Sequence, residues 1–115
     1  MSTNCLFCRI VAGEIPAAKI HEDELIVAIR DLHPVAPVHL LLIPRAHIGS
    51  ALDLSETDAP TAGRLLAVAA ALARSEGIAD GGYRLVINAG ADGGQTVGHL
   101  HVHLLGGRAM EWPPG

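Results

Sequence analysis

The chain has 115 residues, half of them apolar and 17% charged, which is enough to enclose one hydrophobic core and excludes a disordered polypeptide. Its formal charge of −4 comes without any Lys/Arg cluster, so a nucleic-acid duplex, which is bound through a basic stripe, is excluded as a partner. Phe7, Tyr83 and Trp112 are the only aromatic residues, too few for the stacking platforms that hold single strands. A single nucleotide stays open, because backbone N–H groups and neutral side chains can hold its phosphate. Met1-Ser2-Thr3-Asn4 carries no basic leader, and no apolar run is long enough to span a bilayer. A single cytoplasmic domain over residues 1–115 is therefore expected.

Asn4 is a candidate cap for a short helix from about Cys5 to Ala12, stopped by Gly13 and turned away by Ile15-Pro16. Cys5 and Cys8 on that helix have C-x-x-C spacing. A disulfide across so short a loop would constrain the unfolded chain little, which leaves metal binding, redox chemistry or chance. Lys19 to His21 and Leu25 to Asp31 read as a hairpin about the acidic turn Glu22-Asp23-Glu24. After the prolines of Leu32 to Pro37, the apolar run Val38 to Ile43 predicts a buried strand that carries His39 and ends at Pro44.

Ser55-Glu56-Thr57-Asp58 resembles a capping box, and the Ala/Leu-rich stretch from about Thr57 to Ser75, ended by Gly77, predicts the main helix. Tyr83 to Asn88 reads as a strand, Ala89 to Gly98 as a glycine-rich loop, and His99 to Leu105 as the last strand. An antiparallel sheet of about five strands with a short N-terminal helix and one long helix is an α+β architecture.

Side chains alternate along a strand, so His99, His101 and His103 project from one face while Leu100, Val102 and Leu104 project from the other. Each neutral imidazole brings one donor and one acceptor that need partners when buried. Three readings suit such a row: a histidine-rich exposed strand, a zinc cage, or nucleophilic catalysis in which a neutral imidazole attacks phosphorus. The loop Ala91-Asp92-Gly93-Gly94-Gln95-Thr96 just before it offers backbone N–H groups, an amide and a hydroxyl suited to a phosphoryl group.

The run His99-Leu100-His101-Val102-His103-Leu104-Leu105 resembles the signature of the histidine triad nucleotide-binding proteins, three histidines alternating with apolar residues. The likeness to their Hint branch extends to Gly13-Glu14-Ile15-Pro16-Ala17, Asp31 to Pro37, His39 to Pro44, Gly82 to Val86, Asn88, Gly93-Gly94-Gln95 and Gly106-Gly107-Arg108. The closing Trp112-Pro113-Pro114-Gly115 is shared with animal members. The resemblance implies that His101 is the nucleophile, that His103 contacts the phosphate and that His39 supports the proton network. It implies a phosphoryl cradle of Asn88, Gly94, Gln95 and Thr96, with the Thr96 hydroxyl aiding the leaving group. Asp31 would take the ribose hydroxyls, and Phe7, Ile10, Leu32 and Leu41 the base. Phe7 and Ile10 also suit an ordinary core, His39 a satisfied core histidine, and Asp31, Asn88 and Thr96 the shaping of turns.

Animal members lack the C-x-x-C. Bacterial members that carry it bind zinc, which implies a structural site of Cys5, Cys8, His47 and His99 here. Cys5 and Cys8 at i, i+3 share one helix face near an N-terminus that favours thiolate, and a Cys₂His₂ set is a closed site with no position for water.

By resemblance the activity is hydrolysis of the P–N bond of purine nucleoside 5′-phosphoramidates through a nucleotidyl-histidine, releasing AMP or GMP and an amine. Two other functions stand beside it: a dinucleoside polyphosphate hydrolase or nucleotidyl transferase of the same superfamily, or a weakly catalytic nucleotide-binding interaction protein. The attacking ring must be neutral, with its other nitrogen donating to a backbone carbonyl. The resemblance also implies a homodimer that continues the sheet across two protomers, for which the Ala-rich stretch Thr61 to Ala73 offers an apolar face.

Overall fold

The computed structural model describes residues 4–115. Its elements run α1 (Leu6–Val11), β1 (Lys19–Glu22), β2 (Ile26–Arg30), β3 (Val38–Pro44), α2 (Ala59–Ser75), β4 (Tyr83–Val86), α3 (Gly90–Gly93) and β5 (Val102–Gly106). Two 3-10 turns, Ala51–Asp53 and Glu56–Asp58, lead into α2. The strands form one antiparallel sheet of five in the order β1-β2-β3-β5-β4, in the α+β arrangement expected.

β2 and β3 read as continuous apolar runs because both of their faces are covered. Ile26, Ala28, Leu40 and Leu42 pack with Leu65, Val68, Ala69 and Leu72 of α2. Val27, Ile29, Leu41 and Ile43 pack on the opposite face with Phe7 and Ile10 of α1. Among the described residues no helix is long and apolar enough to cross a membrane.

The boundaries differ from the expected ones in several places. Cys5, and not Asn4, is the N-cap of α1, its sulfur accepting the N–H of Cys8 at 3.4 Å. The Ser55–Asp58 box closes the second 3-10 turn, and α2 begins beyond it at Ala59. β4 ends at Val86, so Asn88 lies beyond the strand, and the glycine-rich loop contains one helical turn between Gly90 (φ +74°) and Gly94 (φ +82°).

The last strand begins at Val102 instead of His99. Its pairing with β3 runs only to Leu42 opposite Val102, because Pro44 has no N–H with which to extend the ladder. Leu100 instead donates its N–H to the carbonyl of Ile48 at 2.6 Å. The alternation of faces survives this: Leu100, Val102 and Leu104 belong to the α2 side, while His99 and His101 lie edge-on to Phe7 of α1.

Candidate active site and metal centre

The reading of an exposed histidine strand fails on burial, since His99 and His101 are 0% and 6% exposed. Their partners separate two tasks. His101 Nδ1 lies 2.8 Å from the carbonyl of His99. A carbonyl only accepts, so Nδ1 carries the hydrogen and Nε2 carries the lone pair. The ring sits edge-on to Phe7 at 5.0 Å and to His103 at 5.0 Å.

His39 on β3 faces His103 on β5 because Leu41 pairs with His103, placing His39 one step along the same face. The N–H of Val35 donates to His39 Nδ1 at 3.1 Å, so the hydrogen of His39 is on Nε2. That Nε2–H donates to Nδ1 of His103 at 3.0 Å, which in turn leaves the hydrogen of His103 on its Nε2. Burial pushes both rings below the ordinary histidine range, against the opposing charge of Asp31. The neighbouring His101 and His39 lower His103 further.

Asp31, His39 and His103 also bring three potential ligand atoms together. The N–H aimed at His39 Nδ1 argues against a metal there: Nε2, the nitrogen that faces the other two residues, is protonated and has no lone pair to give.

A cavity of about 270 Å³ opens beside these rings, lined by Phe7, Ile10, Leu32 and Leu41 on its apolar walls and by Asp31, Thr96, His101 and His103. Every base-pocket candidate thus shares one space with the candidate nucleophile. Leu6, Ile29 and Val97 line it too and were not singled out in the sequence. Leu6 had a signal, since it stands four residues before Ile10 on α1. Asp31 has a second task, its Oδ1 accepting the N–H of His33 at 2.8 Å in a turn.

Asn88, Gly94 and Gln95 are not among the lining residues. The side chain of Gln95 is spent on the backbone: its Oε1 accepts the N–H of Gly90 at 3.1 Å, and its Nε2 donates to the carbonyls of Gly49 at 2.8 Å and Val97 at 2.9 Å. It therefore latches the loop that carries Thr96.

On the other side of Phe7 lie Cys5, Cys8, His47 and His99, whose ligand atoms are all within 4.8 Å of one another. His99 Nδ1 is 3.2 Å from Cys5 Sγ and 3.6 Å from Cys8 Sγ, and His47 Nδ1 is 3.2 Å from Cys8 Sγ. Tetrahedral zinc with ordinary bonds to sulfur and nitrogen needs edges of roughly 3.5 Å between such atoms. His99 Nε2 lies 2.9 Å from the Pro44 carbonyl and must donate to it, which turns a bare Nδ1 toward the sulfurs. Desolvation by burial, with the adjoining Cys5, pushes the Cys8 thiol up in the absence of a cation. Two soft sulfurs and two imidazoles, one of them oriented by the Pro44 carbonyl, fit a structural zinc ion.

The chain is similar to known proteins over nearly its whole length. The family model of the HIT domain matches residues 12–110. The chain is 44% identical over 110 residues to a purine nucleoside phosphoramidase of Escherichia coli K12, covering 96% of this chain and 92% of that one. It is 47% identical over 112 residues to a 14 kDa zinc-binding protein of Zea mays, covering 96% and 87%. The crystal structure of a HIT family hydrolase from Legionella pneumophila Philadelphia 1 superposes with a TM-score of 0.96 at 52% identity, covering 97% of this chain and 100% of that one. With likeness of sequence over nearly the whole chain and the same fold around the alternating histidines, this chain belongs to the HIT domain family.

Proposed function

We propose that the chain is a hydrolase that cleaves the P–N bond of purine nucleoside 5′-phosphoramidates through a nucleotidyl-histidine at His101. The observation that carries this reading is the 2.8 Å bond from His101 Nδ1–H to the His99 carbonyl, which leaves an unprotonated Nε2 on a ring lining the cavity. The name of the Escherichia coli relative supports the substrate class.

In this reading the base lies among Phe7, Ile10, Leu32 and Leu41, and the ribose hydroxyls donate to Asp31. His101 Nε2 attacks the α-phosphorus. The N–P bond to histidine forms as the P–N bond to the amine breaks, and the amine leaves with a proton from Thr96 or a neighbouring histidine. Water then cleaves the nucleotidyl-histidine, releasing AMP or GMP. His103 donates its Nε2–H to a phosphoryl oxygen, with His39 holding it in that tautomer. Gln95 contributes by holding the loop that carries Thr96 in place.

Cys5, Cys8, His47 and His99 would hold zinc, which when bound supplies a clamp between α1 and the histidine segment. The protein would act as a homodimer. The outer position of β4 in the sheet and the half-exposed Leu66 on the outside of α2 support that assembly.

The test is turnover of adenosine 5′-phosphoramidate by the wild type and by His101→Ala, with the protein, quenched in denaturant at alkaline pH where a P–N bond to histidine survives, weighed for a nucleotidyl adduct. The wild type should turn over and carry the adduct, and the variant should do neither. Equal turnover by the two, or a wild type that prefers diadenosine polyphosphates, would overturn the assignment.

A further inference from the structure

The loop from Asp31 to Pro37 meets the C-terminal segment at two places. Gly107, at φ +91°, lies so close that a Cβ there would come within 2.8 Å of the Cβ of Pro37. Beside it, Arg108 donates its Nε–H to the carbonyl of Val35 at 3.1 Å. The side chain of Val35 is 59% exposed, so packing does not account for its position. Both of its backbone groups are used instead, the carbonyl by Arg108 and the N–H by His39 Nδ1 at 3.1 Å. His39 Nε2 continues to His103 at 3.0 Å. Three hydrogen bonds in series therefore connect an arginine that does not line the cavity to a histidine that does.

We propose that Arg108 is a positioning residue for the hydrolysis: by holding Val35 it keeps a backbone N–H on Nδ1 of His39, and so sets the direction of hydrogen bonding from His39 to His103. This rests on reading His101 and His103 as the phosphate site. The two tautomers of a neutral imidazole are chosen by the partner that one nitrogen is given. If Val35 drifts, Nδ1 of His39 is free to hold the hydrogen and Nε2 becomes an acceptor. Two lone pairs then face each other across the 3.0 Å gap unless His103 also reverses. A reversed His103 carries its hydrogen on Nδ1 and has none on Nε2 to give to a phosphoryl oxygen. One misplaced N–H thus inverts the whole relay.

Arg108 is suited to the task because Nη1 donates to the carbonyl of Ala109 at 3.2 Å, which steadies the guanidinium while Nε reaches Val35. The Asp31 carboxylate, 3.4 Å from His39 Nε2, favours the same tautomer over a longer distance. Loss of Arg108 should therefore shift the tautomer balance without reversing it completely.

The experiment reads the imidazole nitrogens of His39 in ¹⁵N-labelled protein by long-range ¹H–¹⁵N spectra, beside steady-state kinetics with adenosine 5′-phosphoramidate. In the wild type His39 should be the Nε2–H tautomer. In Arg108→Ala it should become a mixture, with kcat down about tenfold, the size of one net hydrogen bond, and KM within about twofold. Arg108→Lys, which still places a donor near the Val35 carbonyl, should recover most of both. Val35→Pro, which deletes the N–H itself, should move the His39 signals in the same way with Arg108 intact, and it serves if the Ala variant does not fold. Unchanged His39 signals in Arg108→Ala would overturn the proposal whether or not kcat fell. If the wild type itself does not turn over the phosphoramidate, the functional assignment fails while the His39 spectra still decide the role of Arg108.

Discussion

The backbone carbonyl of His99 accepts the Nδ1–H of His101 at 2.8 Å. Because the ring of His99 belongs to the Cys₂His₂ cluster, one residue both contributes to the candidate metal centre and fixes the tautomer of the candidate nucleophile. Protein purified without chelator should carry about one zinc per chain. The double variant Cys5→Ser/Cys8→Ser should lose it along with at least about 2 kcal/mol of stability, roughly 8 °C in Tm. His101→Ala should keep its zinc. Elemental analysis and thermal unfolding of the three proteins check this, and zinc retained by the double variant would contradict the ligand assignment.

Leu32 separates binding from folding. Its side chain is 89% exposed in the free protein and yet lines the cavity. It contributes little to the core, but a bound base would cover it. Leu32→Ala should leave Tm unchanged and raise KM for adenosine 5′-phosphoramidate about tenfold, within the 1.5–3 kcal/mol or so available from burying such a side chain. A variant with lowered Tm and unaltered KM would remove Leu32 from the base pocket.

Most of the fold was legible because its elements follow hydrophobic period and turn chemistry. The runs of β2 and β3 are apolar throughout, and α2 shows its buried face at Leu65, Val68, Ala69 and Leu72. The extent of the last strand was misread because period shows which face a residue takes and not whether its backbone is paired. Pro44, on another strand, decides where that pairing ends. The gathering of Phe7, Ile10, Leu32 and Leu41 with His101 was expected through family resemblance and is seen in the cavity lining. The roles of Val35 and of the Gln95 amide were not readable at all. Val35 acts through its own backbone groups and Gln95 on the backbone of the distant Gly49, for which residue type gives no signal.

The buried histidines make stability depend on pH. Burial lowers the folded-state values of His39 and His103, whereas the unfolded chain takes up these protons near the ordinary value of about 6.5. Below that pH the unfolded state binds more protons, so stability present above about 6.5 is lost as pH falls toward the folded values. The slope is at most about 1.4 kcal/mol per pH unit for each group. Urea unfolding at pH 7 and pH 5 should show the loss, and His39→Asn/His103→Asn should reduce it. An equal pH dependence in wild type and double variant would show that these rings are not its source.

Asp23 is the polar hub of the β1 edge of the sheet. Its Oδ1 accepts the N–H groups of Leu25 at 2.8 Å and Ile26 at 3.0 Å, closing the β1–β2 turn. Its Oδ2 meets His21 Nε2 at 2.7 Å and takes the Nε–H of Arg64 on α2 at 3.0 Å. Burial works against its ionisation, but the hydrogen bonds from His21, Leu25, Ile26 and Arg64 outweigh it and hold the carboxyl well below the usual carboxylate range. The ion pair with the half-exposed Arg64 alone would be worth little, so the backbone donors decide the effect. Asp23→Ala should cost about 2–3 kcal/mol at pH 7, the scale of hydrogen bonds to a charged acceptor, without changing kcat. Because the folded-state value is lowered, this contribution is complete above the ordinary carboxylate value of about 3.9 and shrinks as pH falls below it. Denaturant unfolding of the pair at pH 7 and pH 3 checks both the size and the sign. A gap that widens at pH 3 would mean that the carboxylate does not hold the hairpin in its ionised form.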